Sequence, residues 1–597
     1  MQKSFYITIL CSLFLFVSTF FTHRWNVKYN AVITYDAAGY YMYLPSIFYD
    51  DLGKINNKDY ITEHYNPYGC NFEDANKKVG DNYILKYTAG VAILELPAFI
   101  IAHFIAKTFN YPVDGFSLPY QVSINFWSIL FGIFGLWKLR KLLIKFFNDN
   151  VVAVTLLTLS IATNLYNFIA FSGNMSHGYL FTLYVLLLFY TDKFYDNPNF
   201  KISILIGFLS GMLVLIRPTE IICLIIIFFW KVSNWNAIYN RILFVTQHFS
   251  KFITLSLTAI TIGCIQLIYW KTYSGHWVYW SYGENETFSF LYPHFVDWMI
   301  SYKKGWLTYT PVMILSLVGF YNLFKQHRQL FITCFLFTIF NIYLCSSWDC
   351  WWYGGSFSQR SVVQSYAILS FPLAAFIQFV FNKRMLLLLT LSIIAFCTWL
   401  NFVMTYQAYT SKGIMENDMM SKKYYWKIFG KTNINKLDKK YIDLQDEIPH
   451  QYEHKLKEVY FTDFENDSFA DTCQATSGIK GILLNKFKQN TQEIFIPINK
   501  NKQGYYRATA NFFANDKEWN VWKQTQWIIT LYHKELLVKT NYYRIHRIIE
   551  PNSWQNINID IKTPKNTEYD KLSIKFWNAD SDKQLQIDDL KVYFTEY

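Results

Sequence analysis

The feature that most restricts this chain is where its charge is missing. Residues 1–404 carry 27 Lys or Arg and 18 Asp or Glu, whereas residues 405–597 carry 28 and 25 in less than half the length. Soluble domains are about 25% charged; the second stretch meets that figure and the first falls far below it. The first stretch instead returns repeatedly to apolar runs on the scale of a bilayer crossing. The chain therefore divides into a long body built for lipid and a shorter one of soluble composition. An ordinary soluble enzyme is excluded. The net charge of +12 arises mostly in the apolar body, where basic side chains set membrane orientation, so no nucleic-acid partner is expected. The nine cysteines are scattered without a CxxC or a Cys/His grouping, which excludes a disulfide framework or zinc site as the organising feature.

The first apolar run, Phe5 to Phe21, follows Lys3 and is too long for a signal peptide, so it reads as a retained helix with a cytoplasmic N-terminus. Further spans are expected near 119–138, 151–171, 178–191, 202–216, 219–230, 252–271, 307–324, 329–345, 365–382 and 385–404. Several are short, which suits a bundle with a water-filled centre. The segment 87–107 decides the count. If it lies in the plane or re-enters, Lys138, Arg140, Lys141, Lys145, Lys193, Lys201, Lys231, Arg241, Lys251, Lys325, Arg328, Lys383 and Arg384 all fall in cytoplasmic connections. The opposite connections then hold only Arg217, Lys303, Lys304 and Arg360, with Lys271 at an edge. Counting 87–107 as a span inverts that bias. Eleven transmembrane helices are therefore expected, with loop 23–118, the loops 272–306 and 346–364, and everything after 405 on the periplasmic side of a bacterial inner membrane.

The tail reads as a Lys-rich connector, 405–455, followed by an all-β domain, 456–597. Runs such as Trp527–Tyr532, Ile557–Ile561 and Leu572–Trp577 alternate with period two and are separated by turn residues, the pattern of an antiparallel sandwich. Thr462-Asp463-Phe464-Glu465 at its start and Ile587-Asp588-Asp589-Leu590 at its end are similar to the first and last strands of carbohydrate-binding jelly rolls. Glu465 and Asp588 are either ligands of a structural calcium or solvated edge-strand acids.

Four places in the apolar body hold polar residues that call for an explanation. Asp36 stands in Thr34-Tyr35-Asp36-Ala37-Ala38-Gly39-Tyr40-Tyr41, the only acid from residue 23 to residue 49. A carboxylate in such surroundings suits a general base, and equally a helix cap. Arg217-Pro218-Thr219-Glu220 interrupts a long apolar run; charge at that depth needs protein or water to face. Arg217 suits a phosphate or an internal pair with Glu220. Ser172-Gly173-Asn174-Met175-Ser176-His177-Gly178 forms an outer turn in which His177 either touches ligand or lies on the surface. Lys303-Lys304-Gly305-Trp306 opens a span, where lysines by default anchor the helix. Finally, Trp348-Asp349-Cys350-Trp351-Trp352-Tyr353 through Gln359-Arg360 exceeds what an interfacial belt requires. Aromatic faces stack on sugars, Asp349 and Gln359 can bond hydroxyls, and Arg360 can meet phosphate.

Taken in order, Asp36 with Tyr40 after the first helix, Arg217-Pro218-Thr219, the Lys303–Trp306 span start and the Trp351–Arg360 loop, the membrane body resembles the GT-C glycosyltransferases. That superfamily includes the protein O-mannosyltransferases and the lipid A aminoarabinose transferases. The resemblance implies a polyprenyl-phosphate sugar donor, here undecaprenyl, with a glycan, lipid or protein as acceptor, and an inverting displacement in which Asp36 is the catalytic residue. Arg217, Lys304 and Arg360 would hold the leaving phosphate, and Tyr40, His177, Asp349, Trp352 and Gln359 would bind substrate. Many members carry a Glu after this acid, whereas Ala37 follows Asp36, so a two-carboxylate or metal-bridged scheme is not carried over. No cofactor is required, and a role for a divalent cation stays open. The β domain would bind acceptor or cover the site. A rival class is a non-catalytic scaffold or a lipid-linked glycan flippase, although Arg217 and Glu220 are almost the only charges along a path through the spans.

Overall fold

The computed structural model describes the chain apart from residues 1, 23–31, 50–51, 57, 66–74, 284–285, 411–412, 417, 445, 499–501, 517–518, 520–523, 565–566 and 597. It divides into two compact units, Met1–Asp418 and Met419–Tyr597.

The first unit is helical. Its principal helices are α1 (Lys3–Ser18), α2 (Gly90–Thr108), α3 (Leu118–Leu143), α4 (Ser176–Asp196), α5 (Phe200–Ile216), α6 (Trp235–Gln247), α7 (Phe249–Ser274), α8 (Arg328–Ser346), α9 (Tyr366–Phe381) and α10 (Arg384–Tyr409). Among the described residues seven helices are long and apolar enough to cross a membrane. Shorter apolar helices, Asp149–Ile161, Phe200–Ile216 and Pro218–Phe229, supply further candidates. Helices α7 and α10 expose rows of large aliphatic side chains, among them Leu257, Ile260, Ile268, Leu388 and Leu389. A soluble surface does not sustain such rows. The unit is an integral membrane protein.

The direction of the helices follows from paired polar contacts. Arg140 Nε of α3 donates to Ser4 Oγ at 2.9 Å, and Asn125 Nδ2 donates to Thr19 Oγ1 at 3.2 Å, so α1 and α3 run antiparallel. Asp149 binds Ser4 at the same end as Arg140. Farther along that end, buried Asp192 of α4 takes Lys145 at 2.6 Å and Lys231 at 2.7 Å. Helices α3 and α4 come into contact through Gly135, where a Cβ would stand 2.4 Å from Thr182 Oγ1.

Within the segment 87–107 the chain is helical from Gly90 onward, as the unbroken α2, which is one of the seven helices long and apolar enough to cross a membrane, so the expected non-crossing segment and the count of eleven spans are not confirmed. Helix α2 packs antiparallel to α3, with Trp127 Nε1 donating to the Leu94 carbonyl at 2.8 Å and the His103 and Tyr120 rings 6.4 Å apart.

The second unit holds two antiparallel sheets. Its strands, numbered after the hairpin β1 (Asn76–Val79) and β2 (Asn82–Leu85) of the first unit, are β3 (Lys457–Thr462), β4 (Asp471–Thr472), β5 (Lys480–Leu484), β6 (Ile494–Pro497), β7 (Gly504–Phe513), β8 (Gln526–His533), β9 (Leu536–Arg544), β10 (Gln555–Lys562), β11 (Lys571–Trp577) and β12 (Leu585–Glu596). One sheet runs β10-β7-β12-β5-β4 with β3 also on β12; the other runs β6-β11-β8-β9. Inward residues meet between them: Phe512 of β7 lies 5.1 Å from Trp527 of β8 and 5.9 Å from Phe576 of β11. The expected period-two strands are present, and the sheets pack face to face.

Of the stretch read as a connector, residues 405–418 belong to the first unit and the rest is bound into this one. Leu444 joins its core, Asp443 pairs with Arg544 at 3.1 Å and Arg547 at 3.3 Å, and the Ile448 amide donates to Asp560 at 3.0 Å. Its isolated acids gave no periodic signal, yet Asp443 neutralises Arg544 and Arg547, Asp446 pairs with Lys539 of β9 and Glu453 with Arg507 of β7. Glu465 and Asp588 are also differently employed than a shared calcium would require. Glu465 Oε1 accepts from the Ile479 and Lys480 amides, and Asp588 Oδ2 from the Thr476 and Ser477 amides. Among the described residues no group of three or more His, Cys, Asp or Glu side chains is suited to a metal ion.

Candidate functional site

Asp36 lies in the first turn of a seven-residue helix, Tyr35–Tyr41, entered through Tyr35 at a left-handed φ of +47°. Such a backbone is retained where surroundings over-determine it, commonly at functional sites. The carboxylate caps nothing. Its Oδ1 accepts from the Tyr87 hydroxyl at 2.6 Å and its Oδ2 from Arg360 Nη1 at 2.5 Å. The side chain keeps 25% of its surface exposed. Burial works against its charge, but the Arg360 guanidinium and the Tyr87 hydroxyl outweigh it and hold the carboxyl below its ordinary value. Asp36 is therefore ionised at neutral pH.

One turn on, Tyr40 stacks on Tyr87 with centroids 4.4 Å apart and donates to Ser176 Oγ at 3.3 Å. The contact depends on Gly39, where a Cβ would meet the Tyr87 ring at 2.5 Å. Ser176 begins α4, and His177 beside it is fully buried rather than on the surface. Arg217, at the C-terminus of α5, donates through Nη2 to His177 Nε2 at 3.2 Å. A guanidinium only donates, so Nε2 offers its lone pair and the ring proton lies on Nδ1, which faces Gln364 Oε1 at 3.5 Å. Gln364 Nε2 donates to Glu220 Oε1 at 2.9 Å, and the Tyr184 hydroxyl to Glu220 Oε2 at 2.6 Å. Glu220 is thus held by Gln364 and Tyr184 through hydrogen bonds and meets Arg217 only through the electrostatic field.

Lys304 completes the cationic set. Its side chain is 1% exposed and its Nζ is buried without a hydrogen-bond partner. Burial first, and then the charge of Arg360, push its pKa well below the ordinary lysine value. Lys304 is no interfacial anchor. Its neighbour Lys303 places Nζ 3.4 Å from the centroid of Trp352. The structure therefore brings Asp36, Tyr40, His177, Arg217, Arg360 and Lys304 into one electrostatically connected cluster at a single end of the bundle. Fully ionised, Arg217, Arg360 and Lys304 would outnumber Asp36 and Glu220.

Two expected sugar ligands are engaged elsewhere. Asp349 accepts from the Thr287 hydroxyl at 2.5 Å and from the Ser289 hydroxyl, clamping the loops that bridge at Phe288 and Trp348. Gln359 is fully buried; its Nε2 donates to the Trp351 carbonyl and its Oε1 accepts from Ser361, both at 3.0 Å. Both tie the loop together through these contacts. Conversely, Tyr87 and Gln364 were not anticipated. Tyr87 sits in Lys86-Tyr87-Thr88 at the mouth of an apolar run, and Gln364 is an uncharged residue where a helix begins; neither differs locally from ordinary interface residues.

The fold and site together define a class: a polytopic helical membrane protein with a carboxylate inside a cation-rich cluster, joined to a β unit. No protein-family model matches the chain, and no curated protein matches it. Among solved structures, the oligosaccharyltransferase of Archaeoglobus fulgidus in its apo form is similar, with a TM-score of 0.40 and 11% identity over 75% of this chain and 62% of that one. The arabinosyltransferase EmbB of Mycobacterium smegmatis gives 0.30 and 9% over 77% and 56%. The chain thus spans about three fifths of the length of these two proteins.

Proposed function

We propose that the protein is a membrane glycosyltransferase that moves a sugar from a polyprenyl-phosphate donor, undecaprenyl in a bacterial membrane, to an acceptor hydroxyl of a glycan, lipid or protein on the periplasmic face. The observation that carries this reading is an ionised Asp36, clamped by Tyr87 and Arg360, beside a buried Lys304 without a partner and a half-buried Arg217. Uncompensated cations inside protein seek an anion, and a lipid phosphate is the anion a membrane supplies.

The chemistry follows from these positions. The acceptor oxygen attacks the sugar C1 from the face opposite the lipid phosphate, forming the new C–O bond as the C1–O bond to phosphate breaks. The acceptor proton passes to Asp36. A carboxylate held below its ordinary pKa is a weak base in the ground state, so it first orients the hydroxyl and takes the proton late, when the attacking oxygen has become acidic. The negative charge that leaves C1 collects on the lipid phosphate, where Arg217 and Lys304 stabilise it. Arg360 aligns Asp36 and supports the phosphate field from the carboxylate side. His177 holds Arg217 through its Nε2 lone pair, and Glu220 balances the charge of that guanidinium. Trp352, braced by Lys303, offers a face for the sugar ring. The test is transfer from a synthetic polyprenyl-phosphate sugar by the purified protein in liposomes, with absence of turnover and of donor binding as the adverse result.

A further inference from the structure

We propose that the end of the bundle opposite Asp36 carries a binding site for one anionic phospholipid. A cavity of about 300 Å³ opens between Pro218–Phe229 and α6, walled by Phe228, Phe229, Val232, Ile238 and Val245, with Arg241 among its lining residues. That is room for about ten water-sized groups, enough for a segment of one acyl chain. The walls are apolar, so water gains nothing by filling it.

Two further observations select the occupant. Helix α6 contributes no buried residue to the unit, yet exposes Trp235, Tyr239 and Ile242. An amphipathic helix of this kind lies in the plane of the bilayer surface. Arg241, on that helix, is held in place: Nη2 donates to the Trp230 carbonyl and the guanidinium carbon sits 3.3 Å from the centroid of the Tyr195 ring. Its Nε is nevertheless buried without a hydrogen-bond partner. Among the described residues no carboxylate pairs with it, whereas neighbouring Lys231 is already engaged by Asp192 and Asp196. A guanidinium fixed beside an acyl-sized crevice, with no carboxylate to neutralise it among the described residues, matches a phosphodiester headgroup and its chain. The basic residues gathered at this end suit the leaflet richer in anionic lipid.

This site is separate from the donor site. Trp230 donates to Asp192 near the C-terminus of α4, while Ser176 and His177 stand at its N-terminus. Twenty-one helical residues span about 31 Å. A donor with its phosphate at Arg217 cannot also place it at Arg241.

The test is native mass spectrometry of the full-length protein titrated with dioleoyl phosphatidylglycerol or dioleoyl phosphatidylcholine. The expected result is a single phosphatidylglycerol adduct about tenfold tighter than its phosphatidylcholine counterpart. Arg241→Gln should bring the two lipids level, Val245→Trp should weaken both by filling the crevice, and Asp36→Asn should change neither. Equal binding of the two lipids by the parent protein, or a preference that survives Arg241→Gln or binding that survives Val245→Trp, would overturn the proposal. So would displacement of phosphatidylglycerol by polyprenyl phosphate, which would assign the crevice to the donor's lipid.

Discussion

Replacing Lys304 with Met separates stability from function. Met fills nearly the same volume and carries no charge. In the parent protein the ammonium group is buried without a hydrogen-bond partner, and relieving one unsatisfied buried polar group is worth about 1–3 kcal/mol. Burial and the charge of Arg360 together keep its pKa well below that of a free lysine. For a basic group of this kind the unfolded chain binds the proton more tightly, so the folded state of the parent loses stability as pH falls from about 10 toward the depressed pKa. K304M lacks that loss. It should melt at a higher temperature than the parent, and the margin should widen as pH is lowered through that window. The same substitution removes a charged donor to phosphate, worth about 1.5–3 kcal/mol, so donor affinity should drop about tenfold to a hundredfold. Tryptophan-fluorescence melting in detergent reads the first effect and titration with polyprenyl phosphate the second. A variant that melts lower while binding donor as well as the parent would show that Lys304 is a structural lysine and refute the reasoning.

Three further outcomes are expected. Arg217→Ala should weaken donor binding and lower kcat as well, because the guanidinium holds phosphate in the ground state and holds it more strongly as negative charge develops on it; unchanged donor binding and turnover would place the phosphate elsewhere. Donor binding should take up protons above the depressed pKa of Lys304, as phosphate restores the charge of the amine; calorimetry across a pH series in buffers of different ionisation enthalpy checks this, and an exchange of zero protons throughout contradicts it. Residues 419–597 should fold as a soluble β protein and melt well above 456–597. Removal of Asp443, 2% exposed against Arg544 and Arg547, costs about 3–5 kcal/mol for an uncompensated buried pair; equal melting of the two fragments would mean that 419–455 is a tether after all.

The parts that were legible in the sequence are those set by composition and period. Charge depletion marks the lipid-facing body, and period-two runs such as Trp527–Tyr532 mark strands, because burial acts on every residue of the element. Asp36, Arg217, His177 and Lys304 were visible because an ionisable side chain in apolar surroundings is costly and needs a reason. What stayed hidden depends on contacts between distant segments. Asp36 meets an arginine 324 positions away, and nothing local to Tyr87 or Gln364 announces that they complete a network. Asp349 and Gln359 show the complementary case: a polar residue in an aromatic loop can face a ligand or tie the loop together, and only the positions of Thr287, Ser289 and Ser361 reveal the ties these two make. The connector was misread because Asp443 and Asp446 act singly, through Arg544 and Lys539, and single acids carry no periodicity.

The central claim is that Asp36 receives the acceptor proton as sugar leaves a lipid phosphate. Asp36→Asn keeps the shape of the side chain and the hydrogen bond from Tyr87 while removing the charge that draws the proton. The decisive measurement is single-turnover transfer from a radiolabelled polyprenyl-phosphate sugar by parent and Asp36→Asn protein in liposomes, with donor binding measured on the same preparations. The account predicts that donor remains bound and that the rate falls about 10²–10⁴-fold, the usual worth of a positioned base. Undiminished transfer by the Asn variant would contradict it.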